Sequence, residues 1–143
     1  MPHVSEVNPS DAWELLSTDK AAVLVDVRTA PEWGFVGGPD LEQLGKQAIR
    51  VEWKSWPDMT PNPAFVGTVM QGFETLPSRI LFICRSGARS MQAAQAVSQA
   101  LAAEGRSVPC VNVAEGFEGD LDGSRHRGGL NGWKARGLAW RQT

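Results

Sequence analysis

Three short, mostly apolar stretches constrain this chain most. They are Ala21–Val25, which stops at Asp26, the run ending Arg79-Ile80-Leu81-Phe82-Ile83, which stops at Cys84, and Val108–Val113. Runs this short that do not alternate with polar residues fit strands buried on both faces, as in a parallel sheet. Ala48–Trp53, with Ile49, Val51 and Trp53 alternating, predicts another strand. Helical signals lie between them. Asn8-Pro9-Ser10 starts a helix over Asp11–Ser17 that carries Ala12, Leu15 and Leu16 on one face. Asn62-Pro63 caps a second, through Phe65, Val66, Val69, Met70 and Phe73. Ala88–Ala103 is a third, striped with Ala94, Val97 and Leu101 and stopped by Gly105. Gly132–Arg136 predicts one last short helix, and the Gly-rich stretches Thr29–Lys46 and Ala114–Gly129 predict loops. Strands separated by helices make βαβ units, hence an α/β fold with a parallel sheet and helices on both faces. Ligands of such sheets sit at the carboxyl ends of the strands, where Asp26 and Cys84 both fall.

The whole chain, 1–143, reads as a single domain, since no linker, repeat or low-complexity tract divides it. Its 14 Lys and Arg against 16 Asp and Glu give a net charge of −2, which argues against a nucleic-acid partner. No apolar run approaches the ~20 residues of a membrane helix. The first residues show neither a basic nor an apolar leader region, so the expectation is a cytoplasmic protein with no membrane partner. The 2 cysteines make no disulfide framework. No His/Cys cluster has zinc spacing, and the expectation is a site with no metal and no cofactor.

The chemistry is concentrated in Cys84-Arg85-Ser86-Gly87-Ala88-Arg89-Ser90. A cysteine follows an apolar strand, a short Gly-containing loop follows the cysteine, and a long helix starts at once. Amides between a strand end and a helix N-terminus form an anion-binding concavity, and the helix dipole adds positive potential. Arg85 and Arg89 add full charges. A thiol in such a place is expected to ionise well below its free value of ~8.5 and to act as a nucleophile. A buried structural cysteine would need none of this. The concavity suits sulfur, sulfonate, phosphate or arsenate.

These residues resemble the active-site loop of the rhodanese (sulfurtransferase) family. Val23-Leu24-Val25-Asp26-Val27-Arg28 resembles the family's first core strand, which ends in Asp-Val-Arg, and Glu32-Trp33 stands where the family has Glu-Tyr or Glu-Trp. Gly116, Asn131-Gly132-Trp133 and Gly137-Leu138-Ala139-Trp140 resemble its C-terminal Gly-Gly-x-x-x-Trp ending, stretched by an insertion. The resemblance runs from about Pro9 to Trp140. It implies a rhodanese-like fold with a five-stranded parallel sheet. It also implies that Cys84 takes sulfur from a small anionic donor such as thiosulfate and carries it as a persulfide to a thiol or cyanide acceptor. The loop Arg85 to Ser90 then binds the donor and cradles the outer sulfur, with Asp26 and Arg28 in support.

The chain departs from the family in three places. Phe35 stands where histidine is usual. Pro39–Gln47 is longer than usual, with Leu41–Gly45 expected to line the site, and Phe117–Gly129 is a second insertion. Tyrosine-type phosphatases place five residues between cysteine and arginine, whereas four separate Cys84 from Arg89, so a phosphatase or arsenate reductase ranks below sulfur transfer. An enzyme using small donors and a carrier that hands sulfur to a relay protein share one chemistry, and both stay open. An intact Cys84 disfavours a non-catalytic binding module.

Other residues carry plainer expectations. Asp26 either orients a loop arginine or caps a turn. Arg28 and Glu32, four apart, are expected to pair as scaffold. Cys110 is expected in the core, and as a resolving thiol only if it lies beside Cys84. His3 is expected at a frayed end, and His126, within Arg125–Arg127, in a solvated loop. Trp53, Trp56, Trp133 and Trp140 are expected to pack, with Trp33 or Trp56 at a pocket rim.

Overall fold

The structure is a computed structural model and describes residues 4–142, so His3 lies outside it. In chain order it runs through β1 (Val4–Val7), α1 (Pro9–Thr18), β2 (Ala22–Asp26), β3 (Gly38–Pro39), β4 (Ile49–Arg50), β5 (Lys54–Ser55), β6 (Thr60–Pro61), α2 (Phe65–Gln71), β7 (Arg79–Ile83), α3 (Ala88–Ala103), β8 (Cys110–Val113) and β9 (Trp140–Arg141). A π-helical turn, Glu32–Val36, and a 3₁₀ turn, Glu42–Leu44, interrupt the long connection between β2 and β4.

Five strands form one parallel sheet in the order β1-β8-β7-β2-β4. The apolar runs fill its middle: β7, β2 and β8 are nearly all buried. Ile80, Phe82 and Val25 face α2 and α3, against Phe65, Val69, Ala93, Ala94, Val97 and Leu101. Leu81, Ile83 and Leu24 face α1, against Ala12, Leu16, Phe117 and Trp133. Each fully buried Leu, Ile or Phe contributes about 1.5–3 kcal/mol of transfer free energy, so this sandwich, and not any surface pair, holds the sheet.

The helix ends follow their caps. The Asn8 side chain accepts from the Asp11 amide at 2.8 Å, with Pro9 in the first turn. Gly105, at φ +71°, ends α3 as its spacing predicts. Gly132–Arg136 forms turns and no helix, because Gly132, at φ +98°, is bent beneath the Gly119 backbone. The predicted strand Ala48–Trp53 joins the sheet only at Ile49–Arg50, after which the Val51 and Trp53 amides bond to the carbonyls of Asp26, the last residue of β2, and Val27. The short pair β5–β6 is a hairpin with Trp56 and Met59 at its tip. The edge strand β1 has no apolar run in its sequence and is defined by its register with β8, Val4 opposite Cys110 and Glu6 opposite Asn112. Among the described residues, no helix is long and apolar enough to cross a membrane.

Candidate active site

Cys84 directly follows β7 and is almost wholly buried, at 1% exposure, at the carboxyl edge of the sheet. Its sulfur lies 3.1 Å from the Gly87 amide nitrogen, which donates to it, and 3.2 Å from Ser90 Oγ. The loop reaches this shape because Gly87, the residue before α3, sits at φ +116°, a conformation side chains resist. A second turn braces it. The Cys84 carbonyl accepts from the Phe117 amide, and the Arg85 carbonyl from the Glu118 and Gly119 amides. This contact requires Gly116: a Cβ there would lie 2.5 Å from the Arg85 carbonyl carbon and oxygen.

The charges pair differently from the expectation. Arg28 does not meet Glu32, because Arg28 and Thr29 precede the helical turn that starts at residue 30, so the two side chains do not share a helix face. Arg28 turns inward instead. It donates through Nε and Nη2 to the Asp26 carboxylate at 2.9 and 2.7 Å, and from Nη2 to the Gly37 carbonyl at 2.7 Å. Its guanidinium stacks 4.5 Å from the Phe117 ring centroid. Asp26 also accepts from the Arg28 amide, so it caps the turn and holds the arginine at once. It makes no hydrogen bond to the Cys84 loop. Glu32 is gripped by Arg89 across both oxygens, at 2.8 and 2.9 Å, and accepts from the Thr29 hydroxyl. Burial pushes the Glu32 carboxyl up, but the Arg89 and Thr29 hydrogen bonds and the Arg89 charge outweigh it and hold it below its ordinary range. Burial likewise disfavours the Arg89 cation, while Glu32, the Cys84 sulfur and Asp26 stabilise it, and its pKa is raised.

A cavity of about 380 Å³ opens beside the loop, lined by Pro31 and Glu32, Trp56 and Met59, Arg85 and Arg89, and Glu118 and Arg127. Arg89 is neutralised by Glu32, so the cations left at this mouth are Arg85 and Arg127, set against the one carboxylate of Glu118. Arg127 escapes the sequence reading. It was expected to be solvated with Arg125 and His126, which are exposed, but the 117–129 loop folds it back through a 2.7 Å bond to the Gly119 carbonyl. Trp56, 57% exposed, stands at the rim and does not pack, and Trp33 lies under Arg50 instead. Trp133 is buried and Trp53 packs edge-on against Phe65, while Trp140 is partly exposed.

The other insertion was expected to line the site through Leu41–Gly45, and it does not. Leu41 enters the core, and 39–48 with Arg50 and Arg141 encloses a separate cavity of about 540 Å³ that no residue of 84–90 touches. Phe35, in the place where histidine is usual, is exposed. Cys110 pairs in register with Ile80, four residues before Cys84, which sets the two thiols roughly 13 Å apart along the sheet. That separation rules out the resolving-thiol role. Burial pushes the Cys110 thiol up to about 11. Ser86 lies in the loop, and Ala88 opens α3. Among the described residues, no three His, Cys, Asp or Glu side chains gather as a metal site requires.

A family model described as a rhodanese-like domain matches residues 8–136. The chain belongs to the rhodanese-like domain family. It is 32% identical to an uncharacterized protein of Rickettsia conorii over 137 residues, covering 96% of this chain and 97% of that one. It is 42% identical to Rv0390 from M. tuberculosis, whose crystal structure superposes with a TM-score of 0.84 and covers 99% of each chain. The polysulfide-sulfur transferase homodimer of Wolinella succinogenes shares the fold, at 17% identity, a TM-score of 0.58 and coverage of 98% of this chain and 80% of that one. The rhodanese-like fold predicted by the resemblance is therefore the fold observed, with the same five-stranded parallel sheet. Membership supports a sulfurtransferase-type role in general terms.

Proposed function

We propose that this rhodanese-like domain moves sulfane sulfur from a small anionic donor such as thiosulfate to a thiol or cyanide through a persulfide on Cys84. The supporting observation is the Cys84 sulfur just before α3, with the Gly87 amide donating to it and Arg85 and Arg127 outnumbering Glu118 at the adjoining mouth. Arg85 and Arg127 draw the anion in. The Cys84 thiolate attacks the outer sulfur of thiosulfate, the S–S bond breaks, and sulfite leaves with the electron pair. The acceptor then attacks the outer sulfur of the persulfide, and the Cys84 thiolate is the leaving group. The scheme is covalent and two-step.

The exposed Trp56 and Met59 at the rim favour a second reading, in which the acceptor is a relay protein that docks there. The test is intact-protein mass spectrometry after thiosulfate and then cyanide, on wild type and Cys84→Ser. The expected result is a gain of one sulfur on wild type only, released by cyanide as thiocyanate. A gain that persists in Cys84→Ser overturns the nucleophile. Loading only from a protein sulfur donor turns the reading to the carrier, and phosphate release from a phosphomonoester without sulfur gain overturns both.

A further inference from the structure

Ser90 has one hydroxyl hydrogen and three acceptors within reach: Asn112 Oδ1 at 2.6 Å, Cys84 Sγ at 3.2 Å and the Gly87 carbonyl at 3.2 Å. Which one takes the hydrogen is decided by Asn112. This amide is 1% exposed, on the third of the four residues of β8. Its Nδ2 donates to Glu6 Oε2 at 2.8 Å and to the Gly87 carbonyl at 3.2 Å. Turned over, the amide would set its oxygen against those two acceptors, so the orientation is fixed by the network. Glu6 stands there because β1 pairs with β8 in a register that places it opposite Asn112. Asn112 Oδ1 is thereby held toward Ser90 as an acceptor, and at 2.6 Å it has the shortest claim on the hydrogen.

We propose that Asn112 is a positioning residue that competes with the Cys84 sulfur for the hydrogen of Ser90. With the hydrogen on Asn112, Ser90 turns a lone pair toward Cys84, and the 3.2 Å contact is a hydrogen bond only when the cysteine carries its proton and donates it. Once that proton leaves to solvent, Ser90 can support the thiolate only by swinging its hydrogen off Asn112. That leaves a buried carbonyl oxygen without a donor, at a cost of about 1–3 kcal/mol. The pair Ser90–Asn112 thus works against the thiolate form, to which the Gly87 amide donates. The charged groups facing this centre are Arg89 with its partner Glu32, Asp26 at the end of β2, and Glu6 on β1. The inference concerns how the site holds its thiol and stands whether or not the protein carries sulfur.

The test is a pH titration of Cys84 by thiolate ultraviolet absorbance on the full chain, with Cys84→Ser as the blank. The blank subtracts the Cys110 thiol, which burial pushes up to about 11. Asn112→Leu releases the hydrogen to the sulfur and moves the Cys84 curve to lower pH by on the order of 0.5–1 unit. At the sulfur, Ser90→Ala removes the acceptor for the thiol proton and supplies no donor, so it moves the curve the same way by less. The double variant behaves as Ser90→Ala. An unmoved or raised curve in folded Asn112→Leu overturns the proposal, as does a gain that survives in the double variant. If Asn112→Leu does not fold, the sign of Ser90→Ala decides alone: an unmoved or raised curve means that Ser90 already donates to the sulfur.

Discussion

Arg89 Nη1 and Nη2 reach Glu32 Oε1 and Oε2 at 2.8 and 2.9 Å, and so tie the first turn of α3 to the π-helical turn after β2 across 57 positions of sequence. The bidentate form fixes the arginine's plane as well as its place. An arginine that the loop motif offers to a substrate is therefore already spent on the scaffold.

Breaking this pair has a pH signature. The folded Glu32 carboxyl lies below its ordinary value, so its contribution to stability is fully present above the unfolded pKa of about 4.3–4.5 and is lost as pH falls through the folded value. Glu32→Gln should cost about 1–3 kcal/mol near neutral pH and progressively less in acid. Urea unfolding of both proteins at near-neutral and acid pH reads the difference, and a gap that does not narrow in acid contradicts the assignment.

The mouth of the cavity should select donors by charge. Arg127→Ala and Arg85→Ala are each expected to raise the KM for thiosulfate by roughly 3–10-fold with kcat little changed, since rim charges steer and hold an anion without touching the bond that breaks. Glu118→Gln should lower it. Steady-state kinetics at low and high salt check this, because the effect must shrink as salt screens the charges.

Asp26 and Arg28 are both fully buried, at 0% exposure. Asp26→Asn leaves the guanidinium unpaired in the core and should cost about 3–5 kcal/mol. A thermal melt that moves by less than a few degrees would show the arginine finding another partner.

Gly116→Ala should distort the Cys84 loop, since its new carbon meets the Arg85 backbone at 2.5 Å and φ is +69°. The left-handed strain alone costs on the order of 1–2 kcal/mol. A shifted loop should lower the rate of sulfur loading by tenfold or more, as a displacement of about 1 Å can at a reacting centre. Mass-spectrometric loading rates on the folded variant test it.

The parts of the fold legible in the sequence are those with local causes. The buried strands show as apolar runs, α1 as an Asn-Pro cap, and α3 as an alanine-rich stripe ended by glycine. The edge strand β1 was not legible, because Ser5 and Glu6 break any apolar pattern and only pairing with β8 makes it a strand. The loop 39–47 misled, because loop length says nothing of direction. Leu41 turned into the core and drew the loop away from Cys84.

Within the site the same boundary runs between Cys84 and its partners. Strand, glycine loop and helix are adjacent in the chain, so the sequence by itself determined that a cysteine sits at a helix start, with Arg85 and Arg89 nearby. Only the tertiary structure decided that Glu32 takes Arg89, that Arg28 belongs to Asp26, that Arg127 returns from a distant loop, and that Asn112 stands between Glu6 and Ser90. The physical reason is range. Backbone hydrogen bonds and side-chain periodicity act over a few residues, whereas ion pairs and buried polar networks form between whatever groups the packed sheet brings within about 3–4 Å, regardless of their separation along the chain.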